Sequence, residues 1–189
     1  MNSHKRIHVY GHVSAQPQAV ANLFGAQLAN EIVAESDLAI FAINPAAGID
    51  QQTIDQWQAL SDYQLPRLVV VNELDGSDAD FEDAIMLANR VFDQLVTPYL
   101  VLHSETGSPI ALISLGDLKI IDYSTNPPTI SASESEHQEL VAEFREEYLD
   151  DLAAAGDSAF TAGLLFPAIP IVISNGLGVD IVKSYIDQI

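Results

Sequence analysis

The residues best able to do chemistry in this chain sit at three turns. The first is Gly11-His12-Val13-Ser14-Ala15-Gln16-Pro17-Gln18. A phosphate loop has the form GxxxxGK[ST] between a strand and a helix. Its glycines let backbone N–H groups close on phosphate, its lysine neutralises the charge, and its hydroxyl ligates magnesium. Here Gln16 replaces the second glycine, Pro17 the lysine and Gln18 the hydroxyl residue. Pro17 also removes an N–H that would face phosphate. The run reads as an ordinary strand-to-helix turn with proline in the first helical turn. The second turn, Asn72-Glu73-Leu74-Asp75, and the third, Ser174-Asn175-Gly176, each follow an apolar run. Asn, Asp and Gly are the residue types that make such turns.

Other chemistries find no support. There is no cysteine, so disulfides, thiolate zinc and cysteine nucleophiles are excluded. His4, His8, His12, His103 and His137 show no metal-ligand spacing, and no serine sits in a G-x-S-x-G elbow. Asp75, Asp78, Asp80, Glu82 and Asp83 form an acidic cluster, but Gly76 is misplaced for a calcium loop. Acids at a helix N-terminus suit the macrodipole instead. Ser77, with Asp80 three residues on, reads as a capping box. The sequence therefore predicts no metal site and no catalytic residue.

Apolar runs alternate with amphipathic segments, the pattern of βα units on a parallel sheet. Ile7 to Val13 reads as a strand, followed by a helical face of Val20, Leu23, Phe24, Leu28 and Ile32. Leu38 to Ile43 and Leu68 to Val71 are continuous apolar runs of strand length, suited to burial on both faces. Ile54, Trp57 and Leu60 begin one helical stripe, with Trp57 in the core. Phe81, Ile85, Ala88, Phe92 and Leu95 form another. Tyr99 to His103, Ile110 to Ser114 and Leu118 to Tyr123 then read as an antiparallel meander, and the polar stretch Ser124 to Glu136 as a loop. A long acidic helix follows, with Leu140, Val141, Phe144, Tyr148 and Leu152 facing inward. Ile169 to Ser174 is the last strand, and a helix carrying Val179, Val182, Ile186 and Ile189 ends the chain.

With 189 residues, nearly half of them hydrophobic, the chain can bury a full core. Its net charge of −20 repels nucleic-acid phosphate, so direct binding to nucleic acid is disfavoured and a basic protein surface is the easier partner. No signal peptide is visible. Pro167 and Pro170 interrupt the apolar stretch Leu164 to Ile173, so no membrane span is expected and the reading is cytoplasmic.

Three stretches carry a family resemblance. Leu38 through Thr53 resembles the strand, small-residue turn and Gln/Thr-rich helix of the elongation factor G GTP-binding domain. Leu65-Pro66-Arg67-Leu68-Val69-Val70-Val71-Asn72-Glu73-Leu74-Asp75 is similar to that family's VPR-strand-VNKxD run. Gly107-Ser108-Pro109-Ile110 through Gly116-Asp117-Leu118-Lys119-Ile120-Ile121-Asp122-Tyr123 resembles the start of its inserted subdomain. Order and spacing match from about Asp37 to the C-terminus. The resemblance implies a three-layer α/β fold of the P-loop GTPase type with a mostly parallel sheet. The core would be residues 1–95 and 168–189, with an inserted α+β subdomain over 96–167. It makes Asn72 and Asp75 the matching guanine contacts, with Ser174 in the last base-contact loop. Glu73 stands where the family has lysine, and only Ala19 to Asp37 is available for the switch segments.

The reading is a non-hydrolysing, pseudo-GTPase binding module related to translation factors, with GTP or GDP bound weakly at most and no other cofactor. The rival is a true translational GTPase with a remodelled nucleotide site. In the family the inserted subdomain contacts the ribosomal stalk. Glu139, Glu143, Glu146 and Asp150, on the outer face of the acidic helix, are thus implied as a docking surface for a basic partner.

Overall fold

A computed structural model describes residues 4–76 and 80–189. The core is a six-stranded sheet in the order β2-β1-β3-β4-β10-β5, with every pairing parallel. Its strands are β1 (Ile7–Tyr10), β2 (Gln27–Leu28), β3 (Leu38–Ile43), β4 (Arg67–Val71), β5 (Leu95–Val96) and β10 (Phe166–Pro170). Every residue of β3, β4 and β10 is buried, which explains why those runs lack polar alternation. Helices α1 (Pro17–Phe24), α2 (Gln51–Ser61), α3 (Phe81–Val91) and α6 (Val179–Ile186) accompany the core sheet. Trp57 is 1% exposed; it stacks on Phe92 at 4.4 Å and meets Phe41 and Phe166 edge-on.

Between β5 and β10 the chain builds a second, antiparallel sheet of β6 (Tyr99–His103), β7 (Pro109–Ser114), β8 (Lys119–Asp122) and β9 (Thr129–Ala132). Helices α4 (Ser135–Leu140) and α5 (Ala142–Ala155) follow. This insert is tied to the core by the Tyr123 hydroxyl, which donates to Asp180 Oδ1 at 2.6 Å, and by Asn175 Nδ2, which donates to Pro109 O at 3.3 Å. Burial, first, and the hydrogen bond to Asp180 push the Tyr123 phenol far above its usual range, so it stays a donor. The architecture is an α/β domain with a mostly parallel sheet carrying an α+β insertion, the fold class the resemblance implied.

Several elements differ from their sequence reading. β1 ends at Tyr10 because Gly11 turns the chain with φ 151° against Ala42 O, a position that leaves no room for a Cβ. The helix expected to reach Ile32 stops at Gly25, a left-handed C-cap whose successor Ala26 donates to Ala21 O; Ile32 is 43% exposed. Leu95 leaves the helical stripe for β5. The expected loop Ser124 to Glu136 contains β9 and the start of α4. The last strand starts three residues early and ends four early, at Pro170, because Val172 already pairs with Leu177 in a tight turn. Val96, Phe166 and Pro167 therefore belong to the core sheet. Asp80 itself caps α3, accepting from Glu82 N at 2.8 Å. Ser77 and Asp78 lie outside the described residues.

The long acidic helix is in fact two helices, broken at Val141 (φ −101°, ψ 3°). Neither contains a fully buried residue; Val141 between them is the anchor. Leu140 and Phe144, expected to face inward, are 71% and 40% exposed, because the break re-aims the two stripes. Among the described residues no helix is long and apolar enough to cross a membrane.

Candidate functional site

In the glycine-led loop the backbone donors of residues 14–16 are already used. Residues 13–15 form a single 3-10 turn, in which Ala15 N donates to His12 O at 2.9 Å and Gln16 N to Val13 O at 3.0 Å. Ser14 N donates to His12 Nδ1 at 3.2 Å, and Pro17 has no N–H to give. A phosphate cradle needs these donors to point outward and unspent. The loop is also strapped from below. Asn44 Nδ2 donates to Ser14 O, and the buried Asn72 Nδ2 to Ala15 O, both at 2.9 Å.

Glu73, with φ 63°, sends its carboxylate back to the loop, where Oε1 accepts from Gln16 Nε2 at 2.6 Å. A carboxylate thus meets the loop at its left-handed Gln16. The cleft beside the loop, about 630 Å³, is lined by Gln16, Pro17, Gln18, Asn22, Asp50 and Gln52 among others, with no lysine or arginine. Asp50 accepts a hydrogen bond from the Thr53 hydroxyl. An anionic ligand entering this cleft would meet side-chain amides, the His12 imidazole and the Asp50 carboxylate, with no lysine or arginine to balance its charge.

The three residues matched to guanine contacts differ in setting. Asn72 is 2% exposed, with its amide committed to the loop and its N–H donated to Ile43 O at 2.9 Å. Asp75 lies on an exposed turn. Ser174 is exposed and lines a different cleft of about 660 Å³, with Tyr123, Asn126 and Lys183. Neither Asn72 nor Asp75 borders that cleft. Arg67, the cation of the VPR run, is not available to a ligand. Its guanidinium lies 4.3 Å from both the Trp57 and Phe166 rings and donates to Trp57 O and Ser61 Oγ. It also sits 3.4 Å from Asp93. Sequence reasoning missed the straps from Asn44 and Asn72, since a side-chain-to-loop bond over 30 or 57 residues leaves no local pattern.

Glu139, Glu143, Glu146 and Asp150 are all exposed on α4 and α5. Glu146 and Asp150 line a shallow cleft with Leu118 and Arg145, whose Nη2 donates to Gly116 O at 3.2 Å. Among the described residues no group of three or more His, Cys, Asp or Glu could hold a metal ion.

Comparison with known proteins agrees with this architecture. An elongation factor G-like protein of Mycobacterium tuberculosis is 29% identical over 164 residues, 76% of this chain and 23% of that protein. The mitochondrial ribosome-releasing factor 2 of Drosophila melanogaster is 25% identical over 129 residues, 64% of this chain and 17% of that protein. A solved structure from Thermus thermophilus superposes with a TM-score of 0.67 at 22% identity, covering 81% of this chain and 26% of that one. No family model matches the chain. The molecule is thus an α/β domain with the fold of a translational G domain and its insert. At low identity it is related to elongation factor G-like proteins, of which it spans about a quarter of the length or less.

Proposed function

We propose that this domain is a non-hydrolysing relative of the elongation factor G GTP-binding domain, a pseudo-GTPase that works by protein contacts. The observation that carries this reading is the state of the loop. Its N–H groups at 14–16 are spent internally, Pro17 has none, and Glu73 closes on Gln16. Phosphoryl transfer depends on magnesium and a cationic clamp for its electrostatic stabilisation. The residue types that supply both are replaced here. The protein should show no melting shift with millimolar GTP or GDP and magnesium. A ligand at a hundred times its Kd would stabilise the fold by about 2.7 kcal/mol. A clear nucleotide-dependent rise in melting temperature would overturn the reading in favour of a GTPase with a remodelled site.

The contact surface we propose is the outer face of α4 and α5, with Glu139, Glu143, Glu146 and Asp150 opposing a basic partner. The C-terminal domain of the ribosomal stalk protein is the first partner to try. Opposed charges mainly accelerate encounter, and salt screens them within about 8 Å at physiological strength. Replacing the four by Gln or Asn should slow association and flatten its salt dependence while melting stays unchanged. Equal association rates for the neutralised variant would remove this face from the function.

A further inference from the structure

The other side of α5 carries a second feature. Where the insert leans on the core, α3 and α5 enclose a groove of about 360 Å³. Its apolar wall comes from Ile85 and Met86 of α3, Leu95 of β5 and Phe144 of α5. Met86 and Phe144 are large apolar side chains left 58% and 40% exposed, on a surface otherwise dominated by acids. Both edges are acidic, with Asp80 at the N-cap of α3 and Glu82 and Asp83 in its first turn on one side, and Glu147 and Asp151 of α5 on the other. On α5 the lining residues Phe144, Glu147, Tyr148 and Asp151 form one stripe at i, i+3, i+4 and i+7. No lysine or arginine lines the groove. The acids are already crowded: burial, with Asp80 and Asp83 beside it, pushes the Glu82 carboxyl above its ordinary value.

Charge selects the occupant. Nucleic acid, anionic lipid and anionic small molecules are repelled. A second copy, also at −20 with 7 Lys and Arg against 27 acids, is repelled too. The apolar wall in turn gives a purely polar cation little to bury. An apolar groove between two helices, with carboxylates from both at its edges, fits the mode in which an amphipathic helix lays its apolar face into a groove. We propose that this groove seats a cationic amphipathic helix of a partner protein. Its apolar stripe would lie on Met86 and Phe144, and its Lys or Arg side chains would oppose the carboxylates of both edges. The proposal does not rest on the state of the nucleotide loop. It also uses a face of α5 other than the one holding Glu146 and Asp150, which line a separate cleft.

The probe is a labelled Leu/Lys peptide with leucines at i, i+3, i+4 and i+7, set against a scrambled peptide of the same composition. Binding is read by fluorescence anisotropy at physiological salt. The wild-type domain should bind the patterned peptide about tenfold more tightly than the scrambled one. Met86→Ser with Phe144→Ser should erase that preference, and Asp83→Asn with Glu147→Gln should weaken binding about tenfold. Glu31→Gln with Glu35→Gln makes the same charge change at exposed positions outside the groove and should leave binding unchanged. Should the Phe144 change lower the melting temperature, Met86→Lys alone serves, since it sets a like charge in the path of the peptide and must weaken binding. Equal affinity for the two peptides, indifference to the Met86 and Phe144 changes, or equal weakening by the Glu31/Glu35 pair would overturn the proposal. So would self-association of the domain through this groove in sedimentation. Neither nucleotide melting nor stalk association enters these outcomes, so this proposal can fail without that reading, and the reverse.

Discussion

Asn72→Ala separates a structural role for this residue from a ligand-binding one. Its amide is 2% exposed and donates at 2.9 Å to Ala15 O, a carbonyl of the loop 57 residues away. Removing the donor leaves that acceptor without its partner, and an unsatisfied buried polar group costs about 1–3 kcal/mol. Taking about 2 kcal/mol, and about 2–4 °C per kcal/mol for a domain of this size, the melting temperature should fall by about 4–8 °C. The fall should be the same with and without GTP or GDP. Urea unfolding supplies the second measure, with the midpoint shifted and the slope unchanged. Asn72→Asp should cost more, because a carboxylate cannot donate and would face the carbonyl with like charge. The reasoning is refuted if Asn72→Ala melts within about 0.5 kcal/mol of wild type, the range of substitutions that touch nothing. It is refuted more sharply if the variant keeps its stability but loses a nucleotide-dependent shift that wild type displays.

Two further outcomes follow from the packing and the ionisable groups. Arg67 is held between Trp57 and Phe166 with its Nε buried and without a partner, so its volume matters more than its charge. Arg67→Met should cost under about 1.5 kcal/mol and Arg67→Ala about 2–5 kcal/mol by urea denaturation; equal costs would contradict this. Burial, first, holds the His8 imidazole below its ordinary value of 6.5, beside the Ser36 hydroxyl at 2.6 Å. The folded state therefore binds fewer protons than the unfolded chain. This contribution is fully present above pH 6.5 and is lost as the pH falls through the lower folded value. The Arg6 hydrogen bond, first, depresses the Asp37 carboxyl below its ordinary 3.8, so its contribution fades only in more acid solution. Melting from pH 8 to 5 should fall more steeply for wild type than for His8→Gln, and parallel curves would remove His8 as the cause.

The sequence alone determined the layered α/β core, because strands buried on both faces read as continuous apolar runs and Leu38–Ile43 and Leu68–Val71 are such runs. It also determined which groups are missing from the loop, since Gln16, Pro17 and Gln18 are read off directly. The meander of the insert was legible from its glycine turns, but β9 was not. Thr129–Ala132 is a four-residue, fully exposed strand directly after Pro127 and Pro128, and its brief polar–apolar alternation is too short to stand out from the polar stretch around it. Element ends were set by local backbone events that composition does not fix, such as the left-handed Gly25 and the break at Val141. That break turned Leu140 and Phe144 outward, where helical periodicity continued through the gap had turned them in. The site itself was decided by tertiary structure. The reach of Asn44 and Asn72 to the loop, Glu73 to Gln16, and α5 across to α3 all join residues whose separation in sequence says nothing about distance. Periodicity reports which face of an element is apolar. Only packing decides which other element covers that face, or whether any does.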